Sequence, residues 1–186
     1  SVEYEIMAPE QSQSEQPGME YLMNPRPIFD NPNYKGSGKL KDKVAIITGG
    51  DSGLGRAAAV AFAKEGAKVV AVARREERLR ALEEASKELP GEIVAFAGDI
   101  GLEETNEKMI EFAIEKFGHF EILINNAGLM DNFAPVENLD TALMQRLMNV
   151  DVYGPAWATR KAVRVFLENG KGGSITPLHG QSRIEI

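Results

Sequence analysis

Apolar residues fall in short blocks along this chain, separated by glycine turns and by longer stretches of helical periodicity. From Lys43 to Thr48 nearly every residue is apolar, which predicts a strand buried on both faces. An alanine-rich helix is expected from about Gly53 to Glu65, with Gly66 at its C-terminal cap position. Lys68 to Val72 repeats the strand pattern. Arg75 to Leu89 then places Leu79, Leu82, Ala85 and Leu89 on one helical face, and Pro90-Gly91 stops it. Ile93 to Ala97 reads as a third strand ending at Gly98-Asp99-Ile100. Glu103 to Phe117 reads as a third helix, with Met109, Phe112, Ala113, Lys116 and Phe117 expected inward and Gly118 ending it. Phe120 to Ile124 is a fourth strand, running into Asn125-Asn126-Ala127-Gly128.

Further on, Asp140 is placed to cap a helical stretch from Thr141 to about Leu167, with a kink or short break expected at Gly154-Pro155. Asn169-Gly170 ends it. Gly172-Gly173-Ser174-Ile175 opens a fifth strand, and Pro177 argues that the strand does not continue. Strand and helix thus alternate as in a doubly wound parallel sheet, an α/β fold of Rossmann-like type, incomplete at its C-terminal side. Residues 1–39 hold five of the nine prolines and close on Gly36-Ser37-Gly38. Their apolar content (Met19, Tyr21, Leu22, Met23, Ile28, Phe29, Tyr34) predicts an extended arm lying on a domain surface or a partner subunit. The domain itself is expected over residues 40–175, followed by a tail at 176–186.

Composition narrows the function classes. A net charge of −7 and a pI near 5.0 argue against nucleic acid or an anionic membrane as partner. The chain has no cysteine and two histidines, His119 and His179, so neither a disulfide framework nor a zinc site is expected. No apolar run reaches membrane-spanning length, and Ser1 to Glu10 lacks the pattern of a signal peptide. The expected compartment is the cytoplasm.

The candidate chemistry sits at the strand ends. Thr48-Gly49-Gly50-Asp51-Ser52-Gly53-Leu54-Gly55 joins the first strand to the first helix. Glycines permit a tight turn and close approach of a ligand, and the helix N-terminus favours an anion, here the pyrophosphate of a dinucleotide. An ordinary strand-to-helix turn is the alternative for the glycines taken alone. After the second strand comes Ala73-Arg74-Arg75. A guanidinium there fits a 2′-phosphate and favours NADP over NAD. Equally, the arginines are a solvated pair complementing Glu76 and Glu77, and Asp51 nearby weighs against NADP. Asp99 is placed either to bind an adenine amino group or to cap a turn. The expected cofactor-binding set is Gly49, Asp51, Ser52, Gly53, Leu54, Gly55, Arg74, Asp99, Ile100, Asn126, Ala127 and Gly128.

These residues together resemble the short-chain dehydrogenase/reductase family, from about Leu40 to Ile175. Thr48-Gly49-x3-Gly53-Leu54-Gly55 matches its cofactor loop, Asp99 its adenine position, and Asn125-Asn126-Ala127-Gly128 its structural motif. Asn149 resembles the family's catalytic asparagine, which holds a water in a proton relay at a helix kink. The arm, with Asn24-Pro25-Arg26-Pro27, resembles that of a bacterial branch of the family. The resemblance implies an NAD(P)-dependent oxidoreductase moving hydride between cofactor and a small carbonyl or alcohol, commonly as an oligomer. It also implies a serine and a Tyr-x3-Lys pair for proton transfer. Four residues after Tyr4, Tyr21, Tyr34 and Tyr153 stand Ala8, Pro25, Gly38 and Trp157, so no such pair exists here. The departure begins abruptly after Ile175, which predicts truncation or a frame shift. The competing reading is a dinucleotide-binding module without chemistry. A methyltransferase on a similar sheet leaves Asn125 to Gly128 and Asn149 without a role.

Overall fold

The apolar runs find each other side by side. In the computed structural model, which describes residues 20–130 and 135–177, the strands are β1 (Val44–Thr48), β2 (Lys68–Ala73), β3 (Glu92–Ala97), β4 (Ile122–Asn125) and β5 (Ser174–Pro177). All pair in parallel, in the order β3-β2-β1-β4-β5. The helices between them are α1 (Gly53–Lys64), α2 (Glu76–Ala85), α3 (Glu103–Phe117), α4 (Thr141–Leu147) and α5 (Gly154–Glu168). A parallel strand needs a crossover, and each helix that supplies one covers a face of the sheet.

Alternation along each strand sorts the core into two layers. Val44, Ile46, Val70, Val72, Val94 and Leu123 pack with α3 and α5 around Met109, Ile110, Ala113, Ala158 and Ala162. Ile47, Val69, Ala71, Ile93, Ala95 and Ile124 face the other way, onto Ala59 and Val60 of α1 and Leu79 and Leu82 of α2. Ile46, Ile47 and Leu123 are completely buried. Side chains of that size contribute about 1.5–3 kcal/mol each on full burial.

Several boundaries differ from the sequence reading. α2 stops at Ala85 rather than Leu89, because the buried Ser86 donates its Oγ–H to the Leu82 carbonyl at 2.7 Å and the chain leaves the helix in turns. Lys116 of α3 is exposed, whereas Asn106 and Ile110 take up the inward stripe. Phe120 lies outside the β4 ladder, yet it is buried and stacks on Phe166 with centroids 5.3 Å apart. β5 continues through Pro177, which pairs opposite Asn125. The strand is at the sheet edge among the described residues, where a missing N–H breaks only one ladder.

Gly154-Pro155 does not break the helical stretch. The irregularity lies just before it, a π-helical segment at Met148–Tyr153, and Pro155 sits in the first turn of α5, where no N–H is needed. A Cβ on Gly154 would stand 2.7 Å from the Ile100 carbonyl oxygen, so the glycine lets this helix approach the turn after β3.

The described part of the arm, from residue 20, is tied to the end of α1. The buried Glu65 carboxylate accepts the Tyr34 hydroxyl, the Ser37 N–H at 2.9 Å and the Lys39 N–H at 3.0 Å. Lys64 pairs with Asp30 and donates to the Asn31 carbonyl at 2.9 Å. No helix among the described residues is long and apolar enough to cross a membrane.

Candidate functional site

Strand order reverses direction between β1 and β4, and in open parallel sheets the cleft outside the carboxyl ends of the strands at that reversal is where ligands bind. The glycine turn occupies this place. Gly49 takes φ +68° and Gly53 φ +50°, left-handed conformations open to glycine at little cost. Gly50 donates its N–H to the Val72 carbonyl at 3.1 Å, which holds the turn against β2. A Cβ on Gly55 would lie 2.2 Å from the Gly49 oxygen and 2.4 Å from Asn126 Nδ2. Ser52 is the N-cap of α1 and makes no side-chain capping bond, and Leu54 is 74% exposed. The first turn of α1 is thereby presented outward, with its positive dipole end toward the cleft.

The end of β4 is stitched to this turn. Asn126 donates through Nδ2 to the Thr48 carbonyl at 2.9 Å and to Gly49 at 3.4 Å. The Thr48 hydroxyl accepts the N–H groups of Asn126 and Ala127 at 3.0 and 3.1 Å and donates to the Ile124 carbonyl at 3.4 Å. Gly128 lies exposed beyond them. These small residues leave the mouth of the cleft open while their amides fix its floor.

At the β2 end the two arginines divide. Arg75 turns into the glycine loop, its Nε on Asp51 Oδ2 at 2.5 Å and its Nη2 donating to the Ser52 hydroxyl at 3.1 Å. Asp51 is buried, so the guanidinium supplies the charge match that burial requires. Arg74 stays exposed, with no ion pair or hydrogen bond among the described residues.

At the β3 end Asp99 does cap its turn: Oδ1 accepts the Gly101 N–H at 2.9 Å. Its Oδ2 pairs with Arg146 of α4 at 2.8 Å, leaving the carboxylate about a third exposed. Ile100 is buried in the core, and its carbonyl accepts from Asn106 Nδ2 at 2.7 Å. Its side chain belongs to the core layer that packs with α3 and α5.

Asn149 sits inside the π-helical segment, half-buried, with Oδ1 accepting from Gln145 Nε2 at 2.8 Å. Such segments recur at functional sites because the extra residue redirects side chains and frees backbone groups. Here the segment also presents Asp151, whose Oδ1 accepts the Leu129 N–H at 2.8 Å and anchors the loop leaving β4.

The structure brings Gly49, Asp51, Ser52, Gly53, Leu54 and Gly55 together with Asn126, Ala127 and Gly128 at one strand edge. Arg74 and Asp99 stand at neighbouring strand ends. Sequence reasoning named Thr48 and Arg75 without their contacts, the hydroxyl bridge and the pairing with Asp51, and passed over Arg146 on Asp99 and Asp151 under Leu129. Only Asp51 and Arg75 carried a local signal, as opposite charges near adjacent strand ends.

Residues 43–178 match the model of the family described as short chain dehydrogenase. The chain is 40% identical over 158 residues to general stress protein 39 of Bacillus subtilis, covering 83% of this chain and 54% of that protein. It is 36% identical over 161 residues to the chloroplastic NADPH-dependent aldehyde reductase 1 of Arabidopsis thaliana, covering 83% of this chain and 56% of the reductase. Among solved structures it resembles a metagenomic short-chain oxidoreductase in complex with NADP, at TM-score 0.70 and 27% identity, over 78% of this chain and 66% of that one. A short chain dehydrogenase from Bacillus anthracis gives TM-score 0.70 at 36% identity, over 74% of this chain and 57% of that one. The chain thus spans about half the length of the curated relatives it matches.

Proposed function

The chain belongs to the short chain dehydrogenase family, and from that premise we propose that the protein is an NAD(P)-dependent oxidoreductase of carbonyl or alcohol substrates. The observation that carries the reading is the glycine turn at the strand-order reversal, held to β4 by Asn126 and backed by a Gly55 that tolerates no side chain. This cradle fits a dinucleotide. Gly49 to Gly55 would hold the pyrophosphate, and Ala127 and Gly128 would allow close approach beyond it. Bound there, the nicotinamide supplies or accepts hydride.

The chain's own residues would orient and polarise. Exposed Arg74 at the β2 end favours NADP, because a guanidinium fork suits a 2′-phosphate while Arg75 already neutralises Asp51. Asp99 keeps accepting capacity for an adenine amino group beside its bonds to Gly101 and Arg146. Asn149 in the π-helical segment would hold the relay water. The Tyr-x3-Lys pair of the family does not occur in these 186 residues. The reading of residues 1–39 as an arm, of 40–175 as the cofactor domain and of a cytoplasmic setting goes with this proposal.

The test is a titration of the purified 186-residue chain with NADPH, NADH and adenosine, read by calorimetry and by Trp157 fluorescence. Saturable binding with NADPH tighter than NADH supports the proposal. Absence of binding by either dinucleotide overturns it. Carbonyl reduction by this chain should fall at least ~10²–10⁴-fold below that of a relative carrying the tyrosine, the range general acid catalysis supplies. Turnover equal to such a relative's would assign the proton transfer to residues outside the expected set.

A further inference from the structure

A cavity of about 370 Å³ lies between the arm and the outward faces of α1 and α2. Its walls carry three arginines, Arg26 of the arm, Arg56 of α1 and Arg78 of α2, against two aspartates, Asp30 and Asp51. Both aspartates are already matched by cations that do not line the cavity: Lys64 holds Asp30, and Arg75 holds Asp51. Arg26 and Arg78 pair with no acid among the described residues. Arg56 lies over the Phe29 ring at 3.7 Å from its centroid. Among the described residues of the lining, Arg26 and Arg78 therefore stand as unmatched positive charge in a chain whose net charge is −7. Phe29, Tyr21, Val60 and Leu82 supply an apolar wall beside the guanidinium groups.

Volume, charge and wall chemistry act together. Cavities of roughly 300–1,000 Å³ with a few convergent polar groups suit small ligands. Guanidinium forks select planar oxyanions, and aromatic faces select a flat or greasy body. We propose that this cavity binds a small organic oxyanion, a carboxylate or phosphate monoester carrying an aromatic or aliphatic body. The site is separate from the dinucleotide cleft. It opens on the helix side of the sheet, is closed by the arm, and touches the glycine turn only through Asp51.

Calorimetric titration with benzoate, phenyl phosphate and inorganic phosphate tests this, each run without and with saturating NADPH. The expected result is one-to-one binding of benzoate, phenyl phosphate or both, at least tenfold tighter than inorganic phosphate. Binding persists in NADPH and weakens at least tenfold in Arg78→Ala and in Arg26→Ala. Preference between the two aromatic anions tells carboxylate from phosphate as the natural group. Arg78→Lys keeps the charge without the fork and should recover part of the affinity, which separates recognition from a general loss of structure. Three outcomes overturn the proposal: no saturable binding of either aromatic anion, binding indifferent to both arginine substitutions, or displacement by NADPH, which would place the anion in the cofactor cleft. NADPH affinity is read independently in the same titrations, so failure here leaves the cofactor reading standing or falling on its own data.

Discussion

Gly55 leaves no room for a side chain, because the Gly49 carbonyl and Asn126 Nδ2 converge on the position a Cβ would take. Gly55→Ala must push the turn off Asn126. The expected cost is about 1–3 kcal/mol, as for overpacking in a rigid core. A lowered melting temperature and at least tenfold weaker NADPH binding, read in one thermal-shift titration, would bear this out. An unchanged melt would show that the turn can shift freely. Arg74 raises a different question, since no ion pair or hydrogen bond holds it among the described residues. If it meets the 2′-phosphate, Arg74→Ala loses a charge-assisted bond of about 1.5–3 kcal/mol, or roughly 10–100-fold in NADPH affinity. NADH affinity should stay level, so equal losses for both dinucleotides would rule out a role in reading the phosphate. Arg75 is not interchangeable with Arg74, because removing it strands the buried Asp51.

Between α4 and α5, the π-helical segment connects elements that are distant in sequence. It carries Asn149, whose Oδ1 accepts from Gln145, and sets Asp151 under the Leu129 amide. The same stretch brings Arg146 to Asp99 and lets Gly154 approach Ile100. The irregular turn holds the loop after β4 through Asp151, and the helices on either side of it hold the loop after β3. Asp151→Ala should release the loop leaving β4 at a cost of about 1.5–3 kcal/mol, the worth of a hydrogen bond to a charged group. Amide exchange at Leu129 and Met130 should accelerate while β1 and β2 stay protected. Unchanged exchange at Leu129 would assign the loop's order to other contacts. Hydrophobic periodicity marked the whole stretch from Thr141 as helical. It could not mark the extra residue, because side-chain spacing scarcely changes across a single wide turn.

At the scale of the whole molecule, the described arm and the domain meet at Glu65. The Tyr34 hydroxyl and the Lys39 and Ser37 amides, opposed only by burial, lower its carboxyl from 4.5 to about 2, and Tyr34 is raised above 10.0 by the same hydrogen bond and by the carboxylate's charge. A depressed carboxyl contributes its stability above its unfolded pKa, so this contact is fully present above 4.5 and is lost as pH falls toward about 2. The raised phenol contributes below 10.0 and is lost as pH rises beyond it. Limited proteolysis of the arm should therefore be slow at neutral pH and accelerate at both extremes. Glu65→Gln should flatten the acid limb by removing the titration, and an acid limb identical in wild type and variant would assign it to other groups. The cavity proposed to hold an organic anion is walled by this arm, so its occupancy should slow the same cleavage.

What the sequence determined alone is the kind and order of the elements and the turns between them. Runs of valine, isoleucine and alanine name the strands whichever partners they find, and glycine at Gly49, Gly53 and Gly55 names the turn because few other residues fit it. The parallel sheet and the place of the glycine turn were legible for that reason, as was the Asp140 cap, which accepts from the Ala142 and Leu143 amides. Tertiary structure decided the pairings. Asp51 chooses Arg75, Asp99 chooses Arg146 as well as Gly101, Asp151 chooses Leu129, and Glu65 gathers the arm. A charged side chain has several partners of the right type in the sequence. Which one it meets depends on distances that arise only once the strands have taken their order and the helices have crossed over them.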